Sequence, residues 1–187
     1  MTAYFRRQLA DYVQYHRDPR NCAMHVVGIV FLFLAAVLPL SLWPVHSFGV
    51  AITAATILVI PVLIYWLLLD AGIGTAILGA AVALLSTAGI IVNYASTVGV
   101  WAISAGLIAF GVGFQIVGHR VFEGRQPALV DNPSHLLLGP MFVMAKLFIA
   151  LGYRRDLAII IDAAPQRPLR GSSAFAGDRQ GKSLPPP

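Results

Sequence analysis

Asn21 to Trp43 reads NCAMHVVGIVFLFLAAVLPLSLW, an apolar stretch without a single Asp, Glu, Lys or Arg. As a helix it rises about 34 Å, enough to cross the roughly 30 Å hydrocarbon core of a bilayer. The pattern continues beyond it. Between Asn21 and Gly118 the one formally charged residue is Asp70. A water-soluble domain must face its solvent with polar surface, so this stretch excludes that class; where the solvent is lipid, the same composition is what the outer surface needs. The whole chain agrees: of 187 residues 58% are apolar and 11% charged, against about a quarter charged in soluble domains, and mean hydropathy is +0.76.

Working outward, four apolar segments emerge, at about 21–43, 48–69 (containing Pro61), 73–92 and 100–118. Each is close to the ~20 residues that a crossing requires. The third is rich in Gly and Ala, which permits close helix packing, and Gly111 and Gly113 in the fourth read the same way. Polar turns at 44–47 and 93–99 and the tight connection Asp70-Ala71-Gly72 separate the segments, with Asp70 and Asn93 as turn residues. Ahead of them, Tyr4, Phe5, Leu9, Tyr12 and Val13 recur at helical spacing, which predicts a short amphipathic helix over 2–17 on the membrane surface. Asp18-Pro19 then signals a fresh helix start. Behind them, 119–134 is polar and broken by Pro127 and Pro133, and His135 to Leu151 is apolar but short, interrupted by Pro140 and Lys146. The expected fold is all-α: a polytopic membrane helical bundle of about four transmembrane helices, with an N-terminal amphipathic helix and a re-entrant or interfacial C-terminal helix. Residues 1–160 form one domain, and 161–187, rich in Pro, Gly, Ser and charge, a disordered tail.

The net charge of +5 does not point to nucleic acid, because the basic residues either flank apolar segments or lie in the tail. One cysteine, Cys22, allows no intrachain disulfide and reads as a packed small residue. The N-terminus lacks the pattern of a cleavable signal, since Arg17, Asp18 and Arg20 interrupt it. Arg6, Arg7, Arg17 and Arg20 precede the first span, whereas the 41–47 and 93–99 turns carry no Lys or Arg. That asymmetry places the N-terminus in the cytoplasm, and the Ala- and Gly-rich spans and short chain suit a bacterial inner membrane. Four crossings return the chain to the cytoplasm at His119, in keeping with Arg120 and Arg125; a fifth would put Arg154 and Arg155 outside, hence the re-entrant or interfacial reading of 135–151.

This topology gathers His16, His25, His119 and His135 at one membrane depth and leaves His46 on the opposite side. Imidazole ligates iron, zinc, copper and nickel, and several histidines with a carboxylate and an open position suit non-haem iron. His119 and Glu123, like Asn21 and His25, are four apart and share a helix face. Asn21 and Glu123 are candidates to orient a ligand and to serve the chemistry of the site. The competing account is ordinary: interfacial histidines touching headgroups, Glu123 paired with Arg120 or Arg125, and Tyr12, Tyr15 and Trp43 as belt aromatics. Spacing alone leaves both open.

Two blocks carry a resemblance. Residues 15–25 read YHRDPRNCAMH, and 114–142 read FQIVGHRVFEGRQPALVDNPSHLLLGPMF. Together they resemble the small membrane-protein family that includes the fungal endoplasmic-reticulum 2-hydroxy fatty acid dioxygenase of phytosphingosine breakdown. The resemblance runs from about Tyr4 to Tyr153. It implies an Fe(II)-dependent reaction with O2 that shortens a long-chain 2-hydroxy fatty acid by one carbon (α-oxidation). It carries the metal role to His16, His25 and His119, with His135 as a further candidate, and matches Asn21 and Glu123 to the family pattern. Arg120 or Arg125 would steer the substrate carboxylate or simply signal topology. Three other classes stay in view: a haem-binding electron-transfer protein, a non-catalytic membrane scaffold or transporter, and a zinc hydrolase. The HxxxH and HxxHH boxes of hydroxylases and desaturases are absent.

Overall fold

The computed structural model describes residues 1–47, 49–124 and 135–163. The chain enters through α1 (Ala3–Val13), whose first turn is capped by the Thr2 hydroxyl accepting from the Phe5 amide at 3.1 Å. Helix α2 (Pro19–Leu40) follows, with the Asp18 carboxylate accepting from the Arg20 amide at 2.7 Å and Pro19 at the first position. A hairpin of β1 (Pro44–Ser47) and β2 (Val50–Thr53) then leads to α3 (Ala54–Leu69), α4 (Ala71–Tyr94) and α5 (Thr97–Val117). A π-helical turn, Gly118–Glu123, prolongs α5, and α6 (His135–Ala150) and α7 (Arg155–Ala163) complete the fold.

The helices alternate in direction. Ser104 on α5 donates to the Ala35 carbonyl of α2 at 2.6 Å, and a Cβ on Gly28 would stand 3.1 Å from the Gly111 carbonyl. Later residues of α5 thus meet earlier residues of α2, and the pair is antiparallel. The α3–α4 connection returns to the end that carries the N-terminus, where the Thr2 amide donates to the Leu69 carbonyl at 2.9 Å. Here α4 presses on α3 so closely that a Cβ on Gly74 would lie 2.7 Å from the Leu67 backbone. Of the glycines read as packing residues, Gly111 meets Leu32, whereas Gly113 has open space around it.

The hairpin corrects the expected second span. That span was placed from Phe48, which lies outside the described residues, but the helix starts only at Ala54. Val45, Val50, Ile52 and Thr53 are strand-forming residues, and Gly49 at φ +76° supplies the turn. Helix α3 is consequently 16 residues, about 24 Å, and by itself shorter than the hydrocarbon core. Three helices, α2, α4 and α5 with its π-helical extension, are long and apolar enough to cross. Their outward faces expose Val30, Val82, Ile90 and Phe110, as lipid contact requires.

Helix α6 starts and ends at one end of the bundle. Its first residue, His135, lies against Asp11 and Tyr12 of α1, and Arg154 beyond its far end binds Asp70. Helices α6 and α7 are bent 115° from one another. This is the geometry that the re-entrant or interfacial reading of 135–151 expects. The amphipathic α1 buries Phe5, Leu9, Tyr12 and Val13 in a cluster with Trp66, Ile73, Leu138 and Phe142. A second cluster, with Val37, Leu38, Ala55, Ala88 and Val100, closes the opposite end. Residues 161–163, expected in the tail, belong to α7, which runs to Ala163 with Ile161 buried; from 164 onward the expected tail lies outside the described residues.

Asp70 is more than a turn residue. It accepts from the Ile73 amide at 3.0 Å, capping α4, and takes both guanidinium nitrogens of Arg154 at 3.0 Å. Burial alone would raise its carboxyl, but the hydrogen bonds and charge of Arg154 and the Ile73 amide outweigh that and lower it from 3.8 to about 2. A depressed folded-state value stabilises above the unfolded one, and the contribution disappears as pH falls through the folded one. Asp70→Asn should therefore lower the thermal midpoint in detergent at neutral pH, and the gap to wild type should close between pH 3.8 and about 2. A gap that does not change with pH would mean that the pair contributes nothing through charge.

Candidate metal centre

Three histidines from three separate elements converge. His16 follows α1, held by its amide donating to the Val13 carbonyl at 3.1 Å and by the Cys22 thiol donating to its own carbonyl at 3.3 Å. His25 sits on the second turn of α2, and His119 on the π-helical turn after α5. Their ring centroids are 4.3, 4.6 and 4.9 Å apart, and one nitrogen from each lies within 4.8 Å of the others. All three are only 2% exposed.

Local hydrogen bonds orient two of these rings. His16 Nδ1 is 2.9 Å from the Tyr12 carbonyl and His25 Nδ1 is 2.9 Å from the Asn21 carbonyl, each four residues back. A carbonyl only accepts, so each Nδ1 carries the proton and each Nε2 keeps its lone pair. His16 Nε2 and His119 Nδ1 are buried and meet no protein partner. Unpaired buried polar atoms are costly, and two in one histidine cluster fit a site that could hold a metal. Burial first, then the neighbouring His25, push His16 well below its ordinary pKa, so it is neutral, as a ligand must be. Tyr12 stacks on His16 at 4.0 Å and 5°.

The other expected site residues fall around this cluster in different ways. Asn21 is fully buried, and its Nδ2 donates to the Tyr15 carbonyl at 3.2 Å and to Glu123 Oε1 at 3.1 Å. The same Glu123 oxygen accepts from the Arg17 amide at 2.6 Å and the Asp18 amide at 2.8 Å. Glu123 thus clamps the turn that carries His16 to the helix that carries His119. The extra residue per turn of the π-helix turns His119 inward while Glu123 reaches the 17–18 turn. His135 is not in the three-nitrogen cluster. Its Nε2 lies 3.2 Å from Asp11 Oδ2, and its ring packs on Tyr12 and Tyr15. His46 is exposed on the hairpin at the far end. Arg120 is exposed, and Arg125 lies outside the described residues.

The histidines open into a cavity of about 120 Å3 lined also by Tyr12, Gln115 and His135. Sequence reasoning missed Gln115 and took Tyr12 for a belt aromatic. Both stand four residues before a cluster histidine, and that spacing was the available signal. Gly118 is a further unnoticed requirement. A Cβ there would collide with Asn21 Oδ1, itself buried without a partner. Gly118→Ala should cost about 1–3 kcal/mol of stability and weaken metal retention, read by thermal unfolding and metal analysis; an unchanged protein would show that Asn21 has room to shift.

Comparisons with known proteins identify the family of the chain. The family model described as 2-hydroxy-palmitic acid dioxygenase Mpo1-like matches residues 2–151. The Saccharomyces cerevisiae protein named 2-hydroxy-palmitic acid dioxygenase MPO1 is 30% identical over 158 residues, which cover 84% of this chain and 87% of the yeast protein. No solved structure matches the chain.

Proposed function

Since the chain belongs to the Mpo1-like family, we propose that it is a membrane-embedded, Fe(II)-dependent dioxygenase that shortens long-chain 2-hydroxy fatty acids by one carbon. The observation that carries this reading is the trio His16, His25 and His119, buried and with one nitrogen from each within 4.8 Å of the others, His16 Nε2 and His119 Nδ1 having no hydrogen-bond partner. These three would hold the metal. Bound Fe(II) would supply the electrons that let ground-state O2 react with a closed-shell acid. The chain's own residues do the remainder. Tyr12 and the Asn21 backbone orient the rings through their carbonyls. Tyr12, Gln115 and His135 line the space beside the rings and can donate to the carboxylate and 2-hydroxyl of the acid. The apolar helices around them exclude water. Breaking the C1–C2 bond with O2 balances as an acid one carbon shorter, CO2 and water. In this reading the N-terminus and the site face the cytoplasm, on the side favoured by the basic residues that flank the first helix.

The test is anaerobic purification in detergent, metal analysis, then Fe(II), O2 and 2-hydroxyhexadecanoic acid with products followed by mass spectrometry. The expected result is about one iron per chain and a product one carbon shorter. Oxygen-independent turnover with zinc, or a Soret band in the purified protein, would replace this reading with a hydrolase or a haem protein.

A further inference from the structure

The histidine cavity does not stop at the histidines. Ile29 and Phe33 line it and also line a second cavity of about 160 Å3 between α2, α3, α4 and α6. Val37, Val59, Ala81, Leu84 and Val143 are among its walls, and the one indole on it, Trp66, already donates its N–H to the Leu137 carbonyl at 2.7 Å. Two helices lead from one cavity into the other. On α2, His25, Ile29, Phe33 and Val37 step by four residues along one face. On α6, His135, Gly139 and Val143 do the same, and Gly139 marks the neck: a Cβ there would stand 2.8 Å from Ile29 Cδ1.

We propose that the second cavity is an acyl-chain site. The tail of the acid whose head lies at the histidines threads past Ile29 and Phe33 and ends against Val37, Val59 and Leu84. This rests on the reading of the head-group site given above. Three observations select an alkyl chain joined to that head. The walls offer no polar partner, so a head group does not belong there. The cavity adjoins the histidine pocket, and Ile29 and Phe33 line both. From His25 to Val37 is about 18 Å along the helix, comparable with an extended palmitoyl chain. A lipid tail leaves hydrocarbon to enter such a site, so burial adds little affinity. What the channel supplies is position, holding C1 and C2 against the histidines and setting an upper limit on chain length.

Photolabelling tests it. The full chain in detergent, kept anaerobic, is irradiated with 2-hydroxyhexadecanoic acid bearing a diazirine at its last carbon, and labelled residues are mapped by mass spectrometry. Labels on Val37, Val59, Leu84 or Leu85, competed away by unmodified 2-hydroxyhexadecanoic acid, are expected. Ala81→Phe, which fills the channel midway, should reduce them and lower the kcat/KM ratio of 2-hydroxyhexadecanoic to 2-hydroxyoctanoic acid by about tenfold or more. Leu84→Ala, which deepens the floor, should shift preference to longer acids and serves if Ala81→Phe does not fold. Labels confined to outward residues such as Leu58 and Ile90, or labels on the distal wall that the free acid does not compete, would overturn the proposal; the latter would mark a site for bilayer lipid. If the wild-type chain turns over no 2-hydroxy acid, the dioxygenase reading fails, while labelling still decides the channel.

Discussion

Replacing His25 with alanine should abolish both iron retention and turnover, with a loss well above the roughly 10–100-fold that follows removal of an outer hydrogen-bond partner of a metal ligand. His119→Ala and His16→Ala should do the same, because each contributes one of three nitrogens within 4.8 Å of one another. A stability measurement separates this from simple misfolding. Without metal, His16 Nε2 and His119 Nδ1 are buried and unpaired, a condition that costs about 1–3 kcal/mol for each such atom. Metal-free His119→Leu should therefore be no less stable than metal-free wild type. Adding Fe(II) anaerobically should raise the thermal midpoint of the wild type through binding linkage and leave that of the variant unmoved. Equal responses to Fe(II) in wild type and all three alanine variants would show that the trio is not a metal site.

The second large effect is expected at Glu123. One carboxylate oxygen takes three N–H donors, from Arg17, Asp18 and Asn21, and so joins the two halves of the cluster. Hydrogen bonds to a charged group contribute about 1.5–3 kcal/mol each, less where water can replace them. Glu123→Ala should lower the thermal midpoint and weaken iron binding by roughly 10–100-fold, since His16 would no longer be held against His119. Glu123→Gln keeps an acceptor but not the charge and should recover part of both. Stability and iron affinity are the deciding readouts. If Glu123→Ala leaves them at the wild-type level while turnover disappears, Glu123 acts on the substrate itself and the clamp assigned here is wrong.

The membrane class and the gathering of His16, His25 and His119 at one end were legible in residue order because both depend on sums along the chain. A stretch from Asn21 to Gly118 with Asp70 as its one charge permits only a lipid-facing fold. An even number of crossings between His25 and His119 brings them to one end whatever the packing. Asp18-Pro19 announced the start of α2, and the Tyr4, Phe5, Leu9, Tyr12 spacing announced α1. The hairpin was not legible, because a short apolar β-branched run reads equally as the start of a helix. Nor could composition say which glycines pack: Gly28, Gly74, Gly111 and Gly118 meet neighbours, whereas Gly79, Gly89 and Gly113 face open space.

By itself the sequence determined the solvent, the approximate number of helices, and which histidines share an end of the bundle, since periodicity and charge act locally and add along the chain. Tertiary structure alone decided the contacts. Only there does a π-helical turn set His119 inward and free Glu123 for the amides of Arg17 and Asp18. Only there does His135 turn to Asp11 instead of completing a four-histidine set, and Arg154 reach back to Asp70 as a partner in an ion pair. Spacing limits which groups can share a depth in the membrane. Which nitrogen faces which depends on ring orientations set by contacts between segments up to a hundred residues apart, and those are absent from any local pattern.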